Sequence, residues 1–230
     1  MVVDIRNDFV NKYAVNIEQV LDATYPSMLI IEERESNEIL VGVPHHAPAG
    51  IAKLPCREHE VSDENAGYLG RHLAERLNCS SVIACNYTLD VNKCIKSDYS
   101  MQIAEWKPKI LVEIHGHSGN GRPRPREVEI SCGSEAKNKF SVELADKLKR
   151  SLTNLSALRE LSVNGDFNAI PGHLRATQSV TITDSRWRAY HLELAPKLRK
   201  RGGKTGRPPA IGFTFCDQLA EILQDLLPTS

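Results

Sequence analysis

Two pairs of histidines follow directly on two of the most apolar stretches of the chain. Ile39-Leu40-Val41-Gly42-Val43 runs into Pro44-His45-His46, and Ile110-Leu111-Val112-Glu113-Ile114 runs into His115-Gly116-His117. Neutral imidazole and carboxylate are ligands that zinc accepts, and two imidazoles with one carboxylate leave a fourth position open for water. The carboxylate is sought in Ser62-Asp63-Glu64, which gives the order His45, then Asp63 or Glu64, then His115. His46 and His117 are the alternate imidazoles. A metal so held lowers the pKa of a water to about 7 and polarises a carbonyl. Such a site also needs a carboxylate that is not a ligand, to move a proton from the water to the leaving amine. Glu193, in Tyr190-His191-Leu192-Glu193-Leu194, fits that role, and burial between its flanking leucines is expected to raise its pKa.

The ordinary roles of the same residues are weighed beside this reading. Acids just after a capping serine such as Ser62 are favoured in a helix's first turn without any metal. His59, His72 and His191 end no apolar strand and are expected to be surface or packing histidines. Arg122, Arg124 and Arg126, in the loop Gly119 to Glu127, read equally well as a solvated loop and as a cover for an acidic substrate. The run Arg199 to Arg207 is expected to be an exposed surface loop and offers no aromatic residue to stack on a base, so at most non-specific phosphate contact is expected of it.

The elements that must position these groups alternate. Strands are predicted at Met28–Ile31, Ile39–Val43, Ser81–Cys85, Ile110–Ile114, Val180–Thr183 and Tyr190–Leu194, several without the polar alternation of a one-sided sheet. Helical spacing appears at Ala66, Leu69, Leu73 and Leu77, at Phe140, Leu144, Leu148 and Leu152, and at Leu219, Ile222, Leu223 and Leu226. The fold class is therefore α/β: one domain over residues 1–230 with a mixed, largely parallel sheet and helices on both faces. Ligands of such sheets sit at the carboxyl ends of the strands, where both histidine pairs fall.

With 29 Lys+Arg against 29 Asp+Glu there is no global field to draw a nucleic acid or a membrane surface, and neither partner is expected. Six scattered cysteines without a C-x-x-C pair, and a start without a long apolar run, are expected of reduced thiols in a cytoplasmic protein.

Four segments resemble the N-formylglutamate amidohydrolase family, a branch of the zinc-carboxypeptidase-like fold. Val43-Pro44-His45-His46-Ala47 resembles the family's Pro-His-Ser-Gly segment, which implies His45 as first zinc ligand. Ser62-Asp63, with Leu69 six residues beyond, is similar to its Asp-x-x-x-x-x-Leu helix start and favours Asp63 over Glu64. Asp90-Val91-Asn92-Lys93 resembles Asp-(Leu/Val)-Asn-Arg, and Glu113-Ile114-His115 resembles Asp-Leu-His, which brings the second zinc histidine.

His191-Leu192-Glu193 resembles the late Gln-x-Glu strand that carries the acid/base glutamate, and Pro171-Gly172-His173-Leu174-Arg175 faintly resembles a Gly-Gly-(Tyr/His)-Ile-x-Arg segment. The resemblance implies one zinc per chain, with manganese, iron or cobalt as other divalent ions such ligands take, and substrate contacts at Asn92, Lys93 and Arg175. It also implies hydrolysis of a small anionic amide such as N-formylglutamate. A carboxypeptidase-like or γ-glutamyl-type peptidase and a non-catalytic binding relative are the alternatives. Lys93 stands where the family has arginine, and so lacks the bidentate fork that matches a carboxylate.

Overall fold

The computed structural model describes residues 2–5, 17–24, 27–200 and 206–227. Its apolar runs assemble into one nine-stranded sheet. The strands are β1 (Val2–Ile5), β2 (Met28–Glu32), β3 (Ser36–Ala47), β4 (Asp63–Glu64), β5 (Cys79–Cys85), β6 (Ile110–Gly116), β7 (Val128–Ser131), β8 (Val163–Asn164) and β9 (Arg188–Leu194). They lie in the order β1-β2-β5-β3-β6-β9-β7-β8, with β4 paired to the end of β3. The four central strands β5, β3, β6 and β9 are parallel, while β2 and β7 run against their inner neighbours. From β3 the chain goes first to β5 on one side and then to β6 on the other. The carboxyl ends of β3 and β6 therefore flank a topological switch point, where open sheets place their ligands.

Seven α-helices are described: α1 (Ile17–Leu21), α2 (Ala66–Leu77), α3 (Asp98–Trp106), α4 (Asn138–Thr153), α5 (Val180–Thr183), α6 (Pro196–Arg199) and α7 (Ala210–Gln224). Residues of α2, α4 and α7 bury Leu69, Leu73, Leu144, Leu148, Phe215 and Leu219 with Val41, Val43, Val112 and Ile114 on one face of the sheet. On the other face Leu40, Leu111 and Ala189 pack with Tyr99 and Ile103 of α3 and with Ile182 of α5. The alternation of these two sets along β3, β6 and β9 is the period of two of a strand covered on both sides. The mixed α/β sheet with helices on both faces is as the sequence predicts.

Two local expectations are corrected. Val180–Thr183 is a helical turn, not a strand. Ser179 caps it, its hydroxyl accepting from the Ile182 N–H at 3.2 Å, and the Thr183 hydroxyl donates back to the Ser179 carbonyl at 2.6 Å. The sheet position beside β6 is already held by β9, so β-branched composition finds no strand edge to join. Asp63 and Glu64 likewise do not open a helix. They form β4, with Asp63 level with His46 and Glu64 with Ala47. The helix α2 begins only after Asn65, in left-handed conformation at φ 65°.

The sheet ends rest on a buried arginine. Arg199 is 1% exposed. Its guanidinium donates to the carbonyls of Leu194 (3.0 Å), Glu64 (2.8 Å) and His117 (3.2 Å), tying together the last residues of β9 and β4 and the residue after β6. The expected exposed basic run therefore does not begin at Arg199, and residues 201–205 of that run lie outside the described residues. Gly116 leaves the space: a Cβ there would stand 1.9 Å from the Arg199 guanidinium carbon. Gly116→Ala is expected to cost about 2 kcal/mol or more through overpacking. In a chain of this size that corresponds to a fall in Tm of roughly 4–8 °C, read by thermal unfolding.

Candidate metal centre

The strand ends bring His45, Asp63 and His115 together. His45 Nδ1 lies 3.5 Å and His115 Nδ1 3.3 Å from the same oxygen, Asp63 Oδ2. All three side chains are buried. A shift in register between β3 and β5, between Val43 and His46, decides which histidine of the first pair arrives. Strict alternation from Val43 would turn His45 onto Val43's face. The irregularity re-aims it to the face of His115, as bulges near sites do. His46 consequently faces the helices. Its Nδ1 accepts from the Gly67 N–H (3.1 Å) and its Nε2 donates to the Leu21 carbonyl (3.0 Å), and burial pushes its pKa down to about 4.

Carboxylates hold the outer nitrogens of both converging rings. His45 Nε2 is 3.0 Å from Asp90 Oδ1 and His115 Nε2 is 3.3 Å from Glu113 Oε2. A carboxylate can only accept, so Nε2 carries a hydrogen in each ring, and Nδ1 is the nitrogen that would give up its proton to offer a lone pair to a cation. This is the carboxylate–histidine arrangement that orients metal-ligating imidazoles. Three potential ligand atoms thus face one another in a buried space, and His45 Nδ1 and Asp63 Oδ2 have no hydrogen-bond partner. Ligands about 2.1 Å from a tetrahedral zinc stand roughly 3.4 Å apart, which the two separations from Asp63 Oδ2 match. The donor set fits a divalent cation.

The electrostatics agree in sign. Burial works to lower the His115 pKa, but the carboxylates of Asp63 and Glu113 outweigh it and raise it to about 10. Burial would raise Asp63, and the imidazoles of His115 and His45 hold it well below the usual carboxylate range. Both shifts express a demand for positive charge between these groups. Two further groups of potential ligands share these rings: His45 with His59 and Asp90, and Glu113 with His115 and His191. The Lys93 ammonium, 2.8 Å from Asp90 Oδ2, already neutralises the first. In the second, Glu113 accepts from the hydroxyls of Tyr99 (2.9 Å) and Thr181 (2.6 Å).

Glu193 stands beside His115 in the register of β6 and β9. Its Oε1 accepts from His191 Nε2 at 3.0 Å, and its buried Oε2 has no partner. Burial would raise its pKa, as the sequence suggested, but the His191 hydrogen bond and charge lower it. Its carboxylate stays ionised and able to take a proton.

A cleft of about 250 Å³ opens on these groups, lined by His45, His115 and Glu193 and by Asn92, Lys93 and His173 among others. Asn92 Oδ1 is buried without a partner, and the Lys93 side chain is 40% exposed. Arg175 does not join them. Its guanidinium donates to the carbonyls of Ile170 (2.8 Å) and Asn168 (3.1 Å) and lies over the Phe167 ring, bracing its own loop.

Glu64 and His117, the other alternate ligands, also lie outside the cluster. Glu64 accepts from the Gly50 N–H (2.9 Å) and pairs with Lys200. His117 Nδ1 accepts from the Gly119 N–H at 3.0 Å.

Sequence reasoning missed His59 and His191, both of which line the cleft. His59 stacks on His45 with ring centroids 3.8 Å apart. It arrives on an irregular loop, which no periodicity marks. His191 was legible: two residues before Glu193 on one strand, it must share that residue's face. His72 is an ordinary histidine, paired with Asp217 at 2.9 Å.

No protein-family model matches the sequence, and no curated protein matches it. Solved structures do match in fold. A bacteriophage poly-gamma-glutamate hydrolase aligns over 91% of this chain and 93% of its own at 9% identity, with a TM-score of 0.54. N-formylglutamate amidohydrolase from Ralstonia eutropha aligns over 88% and 99% at 11% identity, TM-score 0.53. A gene product from Agrobacterium tumefaciens aligns over 86% and 92% at 15% identity, TM-score 0.52. The chain has the fold these proteins share, and the fold expected from the resemblance to N-formylglutamate amidohydrolases is the one observed.

Proposed function

We propose that this protein is a metal-dependent hydrolase of an amide bond next to a carboxylate, with N-acyl amino acids such as N-formylglutamate and short acidic peptides as the substrates to consider. The observation that carries this reading is the buried convergence of His45 Nδ1, Asp63 Oδ2 and His115 Nδ1 beside an ionised Glu193 with a free oxygen. The names of the two hydrolases with this fold accord with it. His45, Asp63 and His115 would hold one cation, zinc being the expected one. The chemistry supplied by such a cation is Lewis acidity, which polarises the scissile carbonyl and acidifies a water.

The protein's own groups do the rest. Glu193 Oε2 takes the proton of the attacking water and returns it to the leaving nitrogen, acting first as base and then as acid. His191 Nε2–H holds the carboxylate through Oε1, so that Oε2 is the oxygen free for this transfer. Asp90 and Glu113 keep the hydrogens of His45 and His115 on the outer nitrogens. Lys93, which lines the cleft, would attract a substrate carboxylate, although part of its charge is met by Asp90.

The test is a panel of N-formyl, N-acetyl and N-succinyl amino acids and short peptides, assayed with the chelator-stripped and the zinc-reconstituted protein. Turnover that is lost on stripping and restored by zinc is expected. Turnover untouched by stripping sinks the metal-dependent reading.

A further inference from the structure

A second cleft opens just past the ends of β6 and β9. It measures about 560 Å³ and is lined by His117, Arg124, Arg126, Glu127, Ser162 and Lys197 among others. His117 follows His115 by two residues, and Ala195, which also lines this cleft, follows Glu193 by two. Two residues of extended chain span at most about 7 Å, so the lining of the second cleft starts within about that distance of His115 and Glu193 along the chain.

Its charge is lopsided. Three cations, Arg124, Arg126 and Lys197, line it with one carboxylate, Glu127. That carboxylate is already engaged, by the Lys197 ammonium at 2.9 Å and by the Ser162 N–H at 2.8 Å. The guanidiniums of Arg124 and Arg126 are exposed and, among the described residues, neither is held by a hydrogen bond or ion pair, although the Arg126 charge acts on the buried Glu129. Pro125 between them is buried and Arg126 N–H donates to the buried Glu129 at 2.7 Å, so the backbone carrying both arginines is anchored. Two unpaired forks on an anchored loop suit the bidentate binding of a carboxylate. The buried His117 ring also lines the cleft and faces the backbone carbonyls of Arg126 and Glu127.

We infer that this second cleft is a binding site for a further carboxylate of the substrate, held by Arg124 and Arg126, so that the protein prefers an acidic peptide with two or more carboxylates over a single N-acyl amino acid. The inference rests on the hydrolase reading for the scissile bond but not for the binding itself. In an extended peptide, side chains on one face also repeat at about 7 Å, so acids near the bond under attack reach both clefts.

The experiment measures fluorescence anisotropy of a fluorescein-labelled tetraglutamate on the full chain and on Arg124→Ala/Arg126→Ala, with thermal unfolding of both as the folding check. Displacement of the label by unlabelled N-formylglutamate reads the first cleft. At least ten-fold weaker tetraglutamate binding by the double variant is expected, with N-formylglutamate affinity within two-fold of the unmutated protein. Tetraglutamate binding within two-fold in the two proteins would overturn the inference. Equal loss for N-formylglutamate would overturn it too, because the arginines would then not form a separate site. So would an oligodeoxynucleotide of equal charge that binds as well as tetraglutamate, since the cleft would then be a general polyanion surface. If tetraglutamate binds through the arginines and no amide is cleaved, the hydrolase reading fails while this site stands. If it is cleaved and the double variant binds it equally well, the site fails while the hydrolase stands.

Discussion

Asp63→Asn is expected to leave the protein folded but nearly free of bound metal, with amide hydrolysis at background. Asp63 Oδ2 is the atom that the Nδ1 nitrogens of both imidazoles face. Asparagine keeps the shape and removes the charge that offsets burial of a dication. Loss of an outer-shell partner alone weakens a metal site by about 10–100-fold, so removal of a direct anionic ligand should weaken it by at least about 100-fold. Metal content per chain after purification and dialysis reads the effect. Glu64→Gln is the matched control. Glu64 binds Gly50 and Lys200, away from the cluster, so this variant should keep its metal. An Asp63→Asn protein with full metal content, or a Glu64→Gln protein without any, would locate the site elsewhere.

Glu193→Gln should do the opposite, retaining the metal and losing the chemistry. Glutamine still accepts from His191 Nε2 through its carbonyl oxygen, so the local geometry survives, but it cannot take a proton. Loss of a positioned general base typically costs 10²- to 10⁴-fold, or about 3–5 kcal/mol in the barrier, expected here in kcat rather than KM. The pH profile supplies a second readout. The folded-state pKa of Glu193 lies below the ordinary glutamate value because of His191, so the base stays ionised as pH falls through the usual glutamate range. The acid limb that it sets should therefore lie below that range, and should vanish in Glu193→Gln. Residual activity above a tenth of the unmutated level would remove Glu193 from the proton path.

Much of the fold and part of the site could be read from the residues alone. Continuous apolar runs specify strands buried on both faces, and apolar residues at helical spacing give α2, α4 and the latter part of α7, because both patterns follow from local geometry. Histidines after two such runs announce a site at the strand ends. The same period of two would have placed His191 with Glu193 and Glu113 with His115.

What the sequence left open depended on partners distant along the chain. His45 is selected over His46 by an irregularity in pairing with β5, a strand more than thirty residues away. Asp63 is separated from Glu64 because the two residues join the edge of β3 as a strand, where neighbours point to opposite faces, and not a helix, where both would have stayed near the site. His59 enters on a loop without periodicity, and Arg175 and Arg199, read as exposed or substrate-facing, are instead used by backbone carbonyls that only the folded chain brings to them. Local sequence determined that two imidazoles end two buried strands. Tertiary pairing decided which nitrogen of each, and which acid between them, face the same point.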